Sequence, residues 1–219
     1  MTIAISTIGT TSSNSSVTQL QVTGTFGAGD SAAIFVAGPS GTNFTVTASV
    51  SGSCTQRRSS TVGGAQAASF TKDSLTGGSE TITVSYGGSA AFVEIWVFDV
   101  SGTSGFDADA AINVQTSGTT RTTNGATASV QPGLSVGFLY NDSHNEGAAG
   151  AGYTAVPSGS GSSFGTNDFF FSEYQRYTST GTQTAPFTGT TNGGNTGALI
   201  LLFKEAAVAT GVPIAWVTA

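Results

Sequence analysis

Charge is scarce in this chain. Only 8% of its 219 residues are Asp, Glu, Lys or Arg, against roughly 25% in an ordinary soluble domain, so the solvent-facing surface must be built from Ser, Thr, Asn and Gly. Six Lys and Arg stand against 12 Asp and Glu for a net charge of −6. The cations are scattered apart from Arg57-Arg58, so no basic stripe tracks a phosphate backbone and nucleic acid is not an expected partner. The one cysteine, Cys54, excludes an intrachain disulfide and any cysteine-based zinc site. No apolar run approaches the ~18 residues that span a bilayer as a helix. The strongest, Ala198 to Phe203, is strand-sized, so no membrane anchor is expected. Residues Met1 to Gly9 lack a basic segment followed by an apolar stretch and a small-residue cleavage site, which predicts a chain used without Sec export or already mature.

Runs rich in Thr, Val, Phe and Ile alternate with Gly-Gly, Ser-Gly and Asn-Gly pairs, the punctuation of strands and turns, and helix signals are almost absent. Leu20 to Phe26 alternates apolar and polar residues, which predicts one buried and one wet face. Ser31 to Ala37 is apolar on both faces and reads as a central strand, followed by Asn43 to Val50. Gln66 to Leu75 and Glu80 to Tyr86 read as the arms of a hairpin. Ala91 to Phe98 is the most apolar strand of the first half, with Glu94 inside it expected to be hydrogen-bonded or at an edge. The second half repeats the logic in Ala126 to Val130, Leu134 to Asn141, Asp168 to Thr178, Thr182 to Thr188 and Gly197 to Lys204. Between Asp142 and Asn167 the Gly, Ala and Ser content predicts an extended surface loop.

These signals predict an all-β fold: a two-sheet, jelly-roll-like antiparallel sandwich over residues 1–205, with residues 206–219 as a C-terminal arm. The arm is apolar, and Ile214, Trp216 and Val217 would sit poorly in water, so they are candidate contacts with a neighbouring molecule. Pro213 prevents the arm from continuing as a regular central strand.

Few residues suggest chemistry. His144 is the only histidine. It shares the stretch Tyr140 to Glu146 with Asp142 and Glu146, a spacing that can ligate a metal but also suits a polar loop, and no metal or cofactor is expected. Gly161-Ser-Ser-Phe-Gly165 matches a nucleophile-elbow pattern, yet it lies in a Gly/Ser tract rather than between a strand and a helix. Glu94, Asp99, Asp107 and Asp109 could form a carboxylate pair for glycoside hydrolysis or a calcium site if strand ends converge, but turn and capping roles account for them better. No catalytic residue is assigned. The three Asn-X-Ser/Thr sequons at Asn14, Asn43 and Asn141 are expected by chance in a chain this rich in Ser and Thr. Among the aromatics, Trp96 reads as core, whereas Tyr140, Asp142, His144 and Tyr153 form a candidate ligand loop for a sugar.

Four stretches, in order, resemble the jelly-roll-like β-sandwich structural proteins of bacteriophage and virome sequences and bacterial surface arrays. They are Met1 to Ile8, Phe26-Gly-Ala-Gly-Asp30, Ala91 to Gly102 before Phe106-Asp107, and Thr178 to Thr184 before Ala198 to Lys204. An acidic residue and Ser-Gly after the central strand match as Asp99-Val-Ser-Gly102, whereas a Trp near the last strand is missing and the tail is longer. The resemblance implies a non-enzymatic virion or surface-assembly subunit: a capsid decoration, tail or fibre protein made in the host cytoplasm or an extracellular surface protein. It would pack with itself or with a major capsid or tail protein. A carbohydrate-binding module is the alternative.

Overall fold

In a computed structural model, residues 2–116, 118–142, 147–162, 169–188 and 194–207 are described. The chain is all-β, as its composition predicts. The first half contributes β1 (Ala4–Ser13), β2 (Val17–Phe26), β3 (Ser31–Pro39), β4 (Thr45–Ala48), β5 (Gly52–Ser53), β6 (Thr55–Val62), β7 (Ala65–Lys72), β8 (Gly78–Ala90) and β9 (Val93–Ser101). The second half contributes β10 (Thr103–Asp109), β11 (Asn113–Gln115), β12 (Arg121–Thr122), β13 (Ala126–Ala128), β14 (Gly133–Asn141) and β15 (Ala148–Ala149). It continues with β16 (Thr154–Ser162), β17 (Phe169–Tyr177), β18 (Gly181–Gln183), β19 (Pro186–Thr188) and β20 (Thr196–Glu205).

The burial pattern of each strand follows from its residues. Strands β3 and β14 are buried on both faces along almost their whole length, and both read as predominantly apolar runs. Strands β2 and β8 alternate, with Leu20, Val22, Phe26, Ile82, Val84 and Tyr86 inward and Gln or Thr outward. The outcome is a layered antiparallel sandwich. A first inner sheet has the order β1-β9-β3-β7-β6 and a second β10-β20-β14-β17-β16, with β11 also on β20. An outer sheet β2-β8-β4-β5 covers the first, and two small sheets, β12-β19-β15 and β13-β18, cover the second.

These orders are the same pattern used twice. Strand β10 stands where β1 stands, β20 where β9, β14 where β3, β17 where β7 and β16 where β6. The halves meet face to face. Odd-numbered side chains of β3 (Ala33, Phe35, Ala37) and even-numbered ones of β14 (Leu134, Val136, Phe138, Tyr140) share one core with Trp96, Phe98 and Phe170. Its centre is aromatic: the Phe35 and Phe170 ring centroids are 4.4 Å apart, and Trp96 and Phe170 4.7 Å. Alternate residues of β3 and β9, including Ile34, Val36, Ile95 and Val97, fill the first outer core. Ala198, Ile200 and Leu202 of β20 fill the second with Ala185 and Phe187.

Three expectations are corrected. Strands β7 and β8 are not a hairpin: β7 pairs with β3 and β6 in the inner sheet, and β8 pairs with β2 and β4 in the outer one. The connection crosses between layers and is pinned by buried Leu75, whose N–H donates to the Asp30 carbonyl. Much of 142–167 is strand rather than loop, because β16 runs beside β17 with a bulge between Ala155 and Ser160. A polar edge strand that contains a proline and a bulge carries no alternating apolar signal. The strand read as beginning at Ala91 begins at Val93, which leaves Phe92 in the turn before it.

Candidate functional site

Of the four candidate ligand residues, two come together. Tyr140 is the penultimate residue of β14 and Asp142 is the first after the strand. In the duplicated pattern the end of β14 corresponds to the end of β3, and Gly38 and Pro39 from there line one cleft of about 190 Å³ with Tyr140 and Asp142. Gly64 and Ala65 from the β6–β7 turn and Phe92 from the β8–β9 turn complete it. The Asp142 carboxylate accepts the Gly64 N–H at 3.3 Å, and its own N–H donates to the Asn195 carbonyl at 2.9 Å. Only glycine fits at position 63: its φ is +60°, and a Cβ there would lie 2.0 Å from Asp142 Oδ2. Phe92 is 57% exposed and holds a φ of 55°, rare for a bulky residue. The Tyr140 ring is buried in the shared core. An exposed aromatic face beside a carboxylate and backbone polar groups is an arrangement that can receive one face of a pyranose. Sequence reasoning missed Phe92 because it opens the apolar run Phe92 to Phe98 and reads as part of that strand.

Tyr153 lies elsewhere, packed against the second outer core. Its hydroxyl bonds Ser135 Oγ at 2.7 Å, and burial pushes the phenol up to about 12. Close by, fully buried Glu173 accepts the Gly150 N–H on Oε2 at 2.7 Å, and burial lifts its carboxyl to about 8. His144, and the tail residues Ile214, Trp216 and Val217, lie outside the described residues, as does most of the elbow-like stretch 161–165.

The acids each have a local partner or place. Buried Glu94 accepts the Trp96 Nε1–H at 3.0 Å on Oε2. Asp99 sits at an odd spacing from Glu94 and so on the other face of the sheet, where burial and the nearby Asp30 raise its carboxyl to about 7. Asp107 accepts the Ser129 N–H at 2.9 Å, and Asp109 pairs with Arg58. Among the described residues no group of three His, Cys, Asp or Glu is placed to hold a metal ion.

The duplication also sets up two matched junctions where inner-sheet edges meet, and they differ. Where β6 meets β10, the Arg57 guanidinium lies 3.7 Å from the Phe106 ring centroid and donates to Thr71 Oγ1 at 2.7 Å. Arg58 binds Asp109, and Asp73 takes the Phe106 N–H at 3.0 Å. Where β1 meets β16, the chain leaves a groove of about 500 Å³ lined by Ser6, Thr7, Ile8, Gly9, Thr10, Pro157 and Ser158, with no charged side chain. The Thr7 Oγ1 hydroxyl donates across it to the Pro157 carbonyl at 2.6 Å.

Compared with known proteins, the chain matches no family model, no curated protein and no solved structure.

Proposed function

We propose that the chain is a non-enzymatic structural subunit of a virion or an extracellular surface layer, with the jelly-roll-like character of the family it resembles, which assembles with copies of itself or with a coat protein. The observation that carries this reading is the solvent face of the β2-β8-β4-β5 sheet. It presents Gln21, Thr23, Thr47, Thr81, Thr83 and Ser85 and no charged side chain. Its side chains already bond to one another: Thr23 and Thr81 hydroxyls at 2.8 Å, and Gln21 Nε2 to Thr83 Oγ1 at 3.2 Å. Such a face can be covered by a neighbour without stripping water from ions, which is where buried charge costs most. The acids serve as ties within the fold, which also suits a structural part. The test is to place Glu at Thr23 and Thr81 together and image the purified protein by negative stain. Loss of oligomers or arrays with an unchanged fold supports the reading, and assembly indifferent to the two charges counts against this face.

The cleft at Phe92, Tyr140 and Asp142 favours a second reading, a carbohydrate-binding module. Calorimetric titration with simple hexoses, wild type against Phe92→Ala, tests it: binding that the substitution abolishes would support it, and no heat from any sugar would remove it.

A further inference from the structure

We infer that the groove between β1 and β16 is the seat for residues 208–219 of a second copy of this chain; this rests on the assembly reading and names its contact. Among the described residues β1 pairs only with β9 and β16 only with β17, so both walls are sheet edges. Each has a bulge, between Thr7 and Gly9 and between Ala155 and Ser160. An edge strand carries a row of backbone donors and acceptors that an incoming strand can satisfy. The matched junction at β6 and β10 is sealed from within by Arg57, Arg58, Asp73, Asp109 and Phe106, so the chain has a way to close such an edge and has not used it here.

The segment that follows β20 is fit to be the occupant. Val208 to Ala219 contains no charged residue and includes Val212, Ile214, Trp216 and Val217, an apolar content that matches a charge-free groove. The chain leaves β20 beside the start of β1: the Ala206 N–H donates to the Gly102 carbonyl at 2.9 Å, and a Cβ on Gly102 would lie 2.9 Å from the Thr2 carbonyl oxygen. From Ala207, the seven residues to Ile214 span up to ~25 Å, comparable to the distance along β1 from Ala4 to Thr10, ~20 Å for a strand.

Direction decides between the chain's own groove and a neighbour's. Laid along its own β1 from that starting point, the segment would run parallel to it, whereas every pairing among the described strands is antiparallel. A second copy related by a two-fold axis presents its segment antiparallel to β1. The exchange is then reciprocal, closing both grooves at once.

The test uses the full-length chain with Thr10→Lys, which puts a cation on the exposed edge, and separately with Trp216→Asp, each compared with wild type by light scattering over a concentration series. Each substitution is expected to weaken association at least tenfold, with melting of the dissociated protein unchanged. In a Cys54→Ser background, Thr10→Cys with Trp216→Cys and a short bis-maleimide is expected to give a covalent dimer. A link closed within one chain overturns the exchange. Wild-type association that both substitutions leave intact overturns the groove while the assembly reading stands, and a wild type that is monomeric throughout removes the assembly reading and the groove with it.

Discussion

Glu173 makes stability depend on pH in an uncommon direction. Its side chain is fully enclosed on β17, Oε2 takes the Gly150 N–H, and Oε1 has no hydrogen-bond partner among the described residues. Burial raises the carboxyl from 4.5 to about 8. The folded value is therefore above the unfolded one, and the proton favours the fold. The contribution is fully present below the unfolded value and is lost as pH rises to the folded one. Within that window one proton is worth ~1.4 kcal/mol per pH unit, so the ceiling is ~5 kcal/mol, and relaxation around the charge brings it to about half. For a chain of this size 1 kcal/mol moves the melting temperature by ~2–4 °C, so Glu173 alone should lower it by roughly 5–10 °C between pH 5 and pH 8. Asp99, raised to about 7, acts in the same direction. Glu173→Gln keeps the shape and an acceptor for Gly150 and removes the titration. Thermal unfolding of both proteins from pH 4.5 to 8.5 should show them level at the acid end and the variant more stable at pH 8. Parallel profiles, or a wild type that gains on the variant as pH rises, would refute the reasoning.

Other consequences follow from the same packing. Phe35 stacks on Phe138 and Phe170 across the two halves, so Phe35→Ala should cost ~3–5 kcal/mol. In urea unfolding both halves should be lost in one weakened transition, and separate transitions would show that the shared core does not couple them. Phe92→Gly relieves an unfavourable φ of 55°, so thermal unfolding should show no loss of stability even though a large apolar side chain is removed. A clear drop would mean that the exposed ring packs more than its 57% exposure suggests. Partial burial pushes the Cys54 thiol up to about 12, so a thiol reagent at pH 8 should label the protein faster in urea than in buffer. Equal rates in the two would contradict that burial.

The strands most legible in the sequence were those buried on both faces. Ser31 to Ala37 and Leu134 to Asn141 are predominantly apolar because inner sheets sandwiched between two cores bury both faces, and the few polar side chains there, such as Ser135, are buried as well. The packing role of Trp96 and the hydrogen bond at Glu94 were readable for the same reason. The duplication was not legible as topology. The long strand β8 has as its counterpart the short β18 and β19, and Pro186, which has no N–H to donate, opens β19. Strand β16 was hidden by Pro157 and a bulge, and pairing partners are set by layers rather than by adjacency, which is why β7 and β8 looked like a hairpin. At the candidate cleft, Tyr140 and Asp142 were visible as a loop-proximal pair. Phe92 joins them only because the ends of β3 and β14 meet, a long-range contact that no local pattern encodes.

Association of the wild-type chain is read most directly by light scattering of the purified protein after size exclusion, across concentrations up to its solubility limit. A subunit that assembles through its charge-free faces gives a discrete dimer or larger assembly whose mass rises with concentration. A single monomeric mass at every concentration would rule that out and leave the cleft beside Phe92 as the feature to explain.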